Sequence, residues 1–432
     1  MAPVWRLGAV LLVVVASDSN FFRPTYPDSC PTGTDVNGQS SRLCLPKWKP
    51  TYNMSLSTII EPCNFSGYGD PTMLAKYGIV DIDWSNARSL WVNTKPMDCE
   101  ERLVKQADMV KQSNPESKVW VYRNLVKALP WFTSVREKLC DPAYSGWFLK
   151  FGPTATPHVP KCDMNWDPPK CSDFYHDQEE TPHHHAPGYG SCAGPCDCGC
   201  VPCGEYLWDH RNQSLRDWLV NEHMTGSTSV EHPSIDGLFI DDEWRPGGPL
   251  GAFYPTEIDD NSTLDMSLTP QDASNIAGNW TLSMKAVHQA LLSKDAFAWR
   301  MFTPGSATFG WTFPGKDGCL AFLREHCVLN DTLQHSALMM QSSDTDFEQN
   351  LAAFLLLRGA YAWLGHAWEG CDKAPSYPEA LSADYGEPIG ACSETGLGSG
   401  VFTRTWTKAK VTLDCTHWTA EITKGQTPTA YI

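Results

Sequence analysis

Acids recur at the ends of short apolar runs in this chain. Asp81 and Asp83 close the run GIVDIDW, followed at once by Trp84. Asp241, Asp242 and Glu243 close IDGLFIDD and lead into Trp244. Arg123 and Asn124 end KVWVYRN, and Asp209, His210 and Arg211 follow GEYLW. Gln341 and Asp344 follow ALMM, while His366, Trp368 and Glu369 follow AYAWLG. Carboxylates gathered at one place beside tryptophan suit acid/base cleavage of a glycosidic bond. One carboxyl must keep its proton to protonate the leaving oxygen, and a second must stay ionised to attack the sugar or activate water. Tryptophan offers a flat apolar face for a sugar ring. A strand-end aspartate also caps a following helix, and this reading serves Asp209 equally well. Three consecutive acids at 241–243 exceed what one cap needs.

Side chains on a strand alternate faces with period two. Along Ile235–Asp242, Phe239 and Asp241 share one face, and Leu238 and Ile240 share the other. Asp241 is therefore expected to face the site as nucleophile or base, with Asp242 behind it as support or cap. Glu243, or Asp209 from the preceding run, is the expected proton donor. Asp81, Asp83, Trp84, Arg123, Asn124, Arg211, Trp244, Gln341, His366 and Trp368 are the expected substrate contacts.

Such acids need a scaffold that brings strand ends together. Eight runs read as strands: Ser57–Pro62, Gly78–Trp84, Lys118–Asn124, Gly204–Asp209, Ile235–Asp242, Ala296–Phe302, Ala337–Gln341 and Ala360–Gly365. Helical patterns fall between several of them, at Asp98–Gln112, Ser214–His223, Ser283–Leu292 and Phe347–Arg358. Leu103, Ala107 and Val110 lie on one face of the first, and Ser214 reads as the N-cap of the second. This alternation argues for an α/β fold with parallel strands, and eight βα units close into a (β/α)8 TIM barrel. The barrel is expected over 54–370, with a Pro-, Cys- and His-rich rim insertion at 152–203. An irregular leader (17–53) precedes it, and a C-terminal loop and β-hairpin segment (371–432) follows. A doubly wound sheet is the alternative, but no Gly-rich phosphate fingerprint follows the early strands.

The runs VDIDWSN (Val80–Asn86), YLWDHRN (Tyr206–Asn212) and DGLFIDDEW (Asp236–Trp244) resemble those of glycoside-hydrolase-like TIM barrels, a loose group that often carries an "aDGvfiDn"-type strand. Val401–Asp414 (VFTRTWTKAKVTLD) is similar to the group's terminal β-segment, with Lys408-Ala409-Lys410 replacing its Asn-Gly and Asp414 standing where Asn is common. The resemblance implies a barrel and a carbohydrate-active protein. It speaks more to fold than to substrate, since fold does not imply function. A noncatalytic sugar-binding or matrix protein on the same barrel is the second expectation.

Residues 1–16 carry Arg6 and an apolar run, Leu7–Ala16, too short for a membrane span of ~18 or more residues. This is the pattern of a secretory signal peptide. The 17 cysteines are dispersed from Cys30 to Cys415, as in an oxidising compartment, and their odd number leaves at least one without an intrachain partner. Six Asn-x-Ser/Thr sequons (Asn53, Asn64, Asn212, Asn261, Asn279 and Asn330) fit a glycoprotein on a secretory route. Cys192–Cys203 with His183–His185 matches zinc-ligand residue types, but disulfides are the default outside the cell. No metal or cofactor is expected. The net charge of −17 opposes nucleic acid and anionic lipid as partners. The partner expected is a carbohydrate, with no membrane insertion. No Gly-x-Ser-x-Gly elbow at a strand end, no His-Glu-x-x-His and no P-loop occur.

Overall fold

The computed structural model describes residues 48, 51–62, 64–92, 97–153, 174–177, 205–248, 251–256, 262–300, 313–328, 338–341, 345–366 and 377–425, with two short strands at Gly33–Thr34 and Ser40–Ser41. The expected signal peptide, most of the rim insertion with Cys192–Cys203, and Trp368 lie outside them.

Seven strands form one parallel sheet: β1 (Thr58–Ile60), β2 (Ile79–Ile82), β3 (Lys118–Asn124), β4 (Gly237–Asp241), β5 (Phe297–Arg300), β6 (Leu338–Gln341) and β7 (Ala362–His366). Their order is β5-β4-β3-β2-β1-β7-β6. The last strand thus lies beside the first, with Leu364 opposite Thr58 and His366 opposite Ile60. The sheet curls, and β5 and β6 are its two edges among the described residues. Every residue of β2 and β4 is buried, which explains why these strands read as apolar runs rather than alternating ones.

One expected strand, Gly204–Asp209, is placed elsewhere. Glu205–Leu207 pairs antiparallel with Lys127–Ala128 and His176–Asp177 in a small separate sheet. A short run rich in aromatic and apolar residues marks a strand but not its partner, so its place in the parallel sheet was misread.

Helices cover the sheet. α1 (Cys99–Ser113) buries Leu103, Ala107 and Val110. α2 (Thr133–Cys140) follows β3. α3 (Gln213–Trp218) is capped by Asn212, not Ser214; the Asn212 carboxamide accepts from the amides of Ser214 and Leu215. α4 (Pro270–Ser293) is much longer than the pattern at 283–292 indicates, because Thr269 and Asp272 form a capping box at its start. α5 (Gly315–Val328) and α6 (Phe347–Leu357) follow.

One end of the sheet's inner face is aromatic. Trp48 meets Trp120, Phe297 and Trp363 at ring distances of 6.1, 6.1 and 6.0 Å. Along β3 the same face then runs Trp120, Tyr122, Asn124, from apolar to polar toward the strand's C-terminal end. Beyond the sheet, β8 (Pro388–Glu394), β9 (Val401–Trp406), β10 (Ala409–Asp414) and β11 (Thr419–Lys424) form a four-stranded antiparallel sheet that packs on α5 and α6. Disulfides Cys319–Cys415 and Cys327–Cys392 join α5 to it. Cys99 is a free, buried thiol. Among the described residues no helix is long and apolar enough to cross a membrane.

Candidate active site

The C-terminal ends of β2, β3 and β4 converge on Tyr122. Strand register sets Tyr122 opposite Phe239 and Asn124 opposite Asp241. It also sets Ile82 opposite Val121, which brings Asp83 level with Tyr122. The Tyr122 hydroxyl donates to Asp241 Oδ2 at 2.8 Å and accepts from Asn124 Nδ2 at 2.9 Å. Asn124 Nδ2 also donates to Asp242 Oδ2 at 2.6 Å. The Asn124 side-chain Oδ1 accepts from the backbone N–H groups of Val126 and Lys127 and so fixes the turn after β3.

Asp241 lies on the inner face with Phe239, whose ring is 5.5 Å from that of Tyr122. Asp242 would point away on a regular strand. It instead takes a left-handed backbone, φ 60°, which costs a non-glycine residue about 1 kcal/mol or more. This turn brings the second carboxylate into the same network. Besides Asn124, it meets Lys127 Nζ at 3.3 Å and accepts from Thr256 Oγ1 at 3.0 Å. Thr256 also accepts from the Glu243 amide at 2.9 Å, which ties the loop after β4 to the hairpin of Trp244–Pro246 and Phe253–Pro255. Lys127 Nζ reaches Glu205 as well, at 2.9 Å. Burial works against the Lys127 charge, but Asp242, Glu205 and Asp241 outweigh it and hold the ammonium well above the ordinary lysine value. Burial, then the charges of Asp241 and Asp242, push the Tyr122 phenol well above its usual range, and Asp83 adds to this.

Asp81 and Asp83 are fully buried. Burial pushes the Asp83 carboxyl up to about 6, against hydrogen bonds from Ser85 and the Trp84 backbone and the Arg88 charge. Its Oδ1 accepts from Ser85, while Oδ2 has no hydrogen-bond partner among the described residues. Burial, with Asp83 beside it, raises Asp81 well above the carboxylate range, and neither of its oxygens is hydrogen-bonded among the described residues. Two carboxyl environments therefore coexist here: a poorly solvated one on β2, and a hydrogen-bonded, lysine-paired one after β4. Such a split is what acid/base division of labour requires.

The remaining expected contacts separate by position. Trp84 is buried among Trp131, Trp91 and the Arg88 guanidinium, 4.7 Å from the last. Trp244 is buried at the start of the hairpin. Gln341 and His366 end β6 and β7, but their side chains lie outside the described residues. Arg123 lies apart from this cluster. One residue out of phase with Tyr122 and Asn124, it enters the helix layer, donating to the carbonyls of His223, Thr228 and Tyr122, with Glu100 of α1 at 3.6 Å. Asp209 and Arg211 lie apart too. Arg211 grips Asp209 and reaches Asp272 at the start of α4, so both belong to a partly exposed ion-pair chain. None of their hydrogen bonds goes to Asp241, Asp242 or Tyr122, and Asp209 does not follow a strand of the parallel sheet. The residues missed from sequence are Tyr122, Lys127, Glu205 and Thr256. Tyr122 was findable, since it precedes Asn124 by two on a strand; the other three come from short pieces that carry no periodic signal.

No protein-family model matches the chain, and no curated protein does. Among solved structures it aligns with the trehalose-6-phosphate hydrolase of Bacillus licheniformis at TM-score 0.37 and 8% identity, over 72% of this chain and 64% of that one. It therefore spans less than two thirds of that enzyme's length. It also aligns with the acarbose-soaked debranching enzyme of Nostoc punctiforme (TM-score 0.39, 11% identity, 85% of this chain and 90% of that one). A third is the cyclic α-maltosyl-(1→6)-maltose hydrolase of Arthrobacter globiformis (TM-score 0.42, 10% identity, 87% and 98%).

Proposed function

We propose that this chain is a secreted glycosidase whose catalytic carboxylates stand at the C-terminal end of a TIM barrel. The reading takes the barrel over 54–370, the rim insertion at 152–203 and the C-terminal segment over 371–432. One observation carries it: Asp83 and Asp241 come from the ends of the two strands that flank β3, on either side of Tyr122, in opposite environments. Asp83, whose burial favours its protonated form, is the proton donor to the leaving oxygen. Asp241, oriented by the Tyr122 hydroxyl, is the nucleophile or base. Glu243, half-exposed in the loop after β4, is the second candidate for the donor. Asp242 and Lys127 hold the β4 end in place. Secretion is supported by the N-terminal charge-and-apolar pattern, the dispersed cysteines and the disulfides Cys319–Cys415 and Cys327–Cys392.

A noncatalytic sugar-binding barrel is favoured by one observation. Both oxygens of Asp241 and both of Asp242 already accept hydrogen bonds within the protein, as a structural clasp would. A panel of polysaccharides and aryl glycosides separates the two. On a cleaved member, Asp241→Asn and Asp83→Asn are expected to lower turnover by ~10² or more while sugar binding survives. Wild-type turnover in Asp241→Asn, Asp83→Asn and Glu243→Gln would sink the site assignment. Binding to several glycans with cleavage of none would establish the noncatalytic barrel.

A further inference from the structure

We infer that Asn53 carries an N-linked glycan whose first sugars lie in the cleft between the N-terminal end of the parallel sheet and the C-terminal antiparallel sheet. The inference rests on the secretory reading above and assigns one sequon where the sequence offers six. Four of the six, at Asn53, Asn64, Asn212 and Asn279, fall within the described residues.

These four differ at the atom that would be glycosylated. Asn64 Nδ2 donates to the Tyr68 carbonyl at 3.3 Å, Asn212 Nδ2 to Gly146 at 3.1 Å and Asn279 Nδ2 to Asn275 at 2.8 Å. Asn53 Nδ2 has no partner among the described residues, and Asn53 is the exposed member of the set while the other three are half-buried. Asn212 is committed besides to capping α3. Asn279 lies in mid-helix on α4, where the Thr281 hydroxyl turns back to the Ala277 carbonyl instead of meeting the asparagine. At Asn53, as at Asn64 and Asn212, the sequon closes on itself, with the Ser55 hydroxyl and amide both donating to Asn53 Oδ1, at 2.9 and 3.1 Å. What sets Asn53 apart is its Nδ2, free among the described residues, and its exposure.

The surroundings have room for sugar. A cleft of about 890 Å³ adjoins Asn53, walled by Tyr52 and Ala360 on the barrel side and by Asp384, Glu387 and Lys408 on the other. Asp384 and Lys408 pair across its rim, and polar side chains of this kind suit sugar hydroxyls. In the secretory compartment a lipid-linked oligosaccharide pyrophosphate supplies the glycan. A bond forms between Asn53 Nδ2 and the anomeric carbon, the bond from that carbon to the pyrophosphate oxygen breaks, and Nδ2 gives up one proton.

Glycopeptide mass spectrometry on full-length protein secreted from eukaryotic cells tests this. Asn53 is expected to be occupied, with Ser55→Thr keeping the glycan and Ser55→Ala losing the mass of one. Peptide-N-glycosidase is expected to release this glycan slowly from the folded protein and fully from the denatured one. A bare Asn53 in secreted wild-type chain would overturn the inference alone, and retention of the chain in the cytosol would overturn the secretory reading with it. Equal release from folded and denatured protein would overturn the seating in the cleft.

Discussion

Asp83 gives the site a pH signature that can be read without a substrate. Its carboxyl is pushed up to about 6 in the folded chain by burial, against about 4 for a free aspartate. The folded state thus binds this proton more tightly than the unfolded state. The contribution to stability is fully present below the unfolded value and is lost as pH rises through the folded one. Two units amount to ~3 kcal/mol between about pH 4 and pH 6. Asp83→Asn is neutral throughout and escapes the loss, so its stability relative to wild type should climb over that window. Urea midpoints measured at each pH check this, and parallel profiles for the two proteins would refute it. The sequence exposed part of this site and concealed part. Period-two alternation placed Asp241 with Phe239, and the two do share the face that meets Tyr122. It also set Asp242 on the far side, where a regular strand would hold it. The left-handed turn at Asp242 breaks the alternation, and no residue type there announces it, since glycine is the usual occupant of such a turn.

Elements were legible where both faces of a strand are buried. β3 follows KVWVYRN from end to end because β-branched and aromatic residues on both faces leave little else for the segment to do. The run GEYLWD failed because strand propensity is local and pairing is not. Its partners are two-residue strands at Lys127–Ala128 and His176–Asp177, each below the length at which a pattern can be seen. That small sheet is tied to the large one through charge. Lys127, on its first strand, reaches Asp242 after β4 and Glu205 on the strand beside it, and all three are buried. Removing the ammonium strands two carboxylates in a poorly solvated interior. Lys127→Met is therefore expected to cost ~3–5 kcal/mol, seen as a lower denaturant midpoint with an unchanged slope. A loss below ~1 kcal/mol, the value of an exposed pair, would show that water reaches this junction.

At the scale of the molecule, α5 connects the parallel sheet to the C-terminal sheet by two covalent links. Cys319 near the start of α5 bonds Cys415 just beyond β10, and Cys327 near its end bonds Cys392 in β8. The two loops are nested, separated by 96 and 65 residues in sequence. Nesting makes their contributions unequal to a simple sum. Alone, the outer link closes its whole loop and restricts the unfolded chain by ~4.7 kcal/mol in the loop-entropy account. With the inner link already in place, the outer one closes only the two flanking pieces, roughly 30 residues, and adds ~3.7 kcal/mol. Replacing Cys319 and Cys415 by alanine should therefore destabilise wild type less than it destabilises a chain that already lacks Cys327 and Cys392, by ~1 kcal/mol. The cycle is measured by denaturant unfolding of the four variants under oxidising conditions. Additive losses would show that the unfolded chain retains structure between β8 and β10. No loss in either double replacement would mean that apolar packing of α5 and α6 alone holds the C-terminal sheet on the parallel sheet.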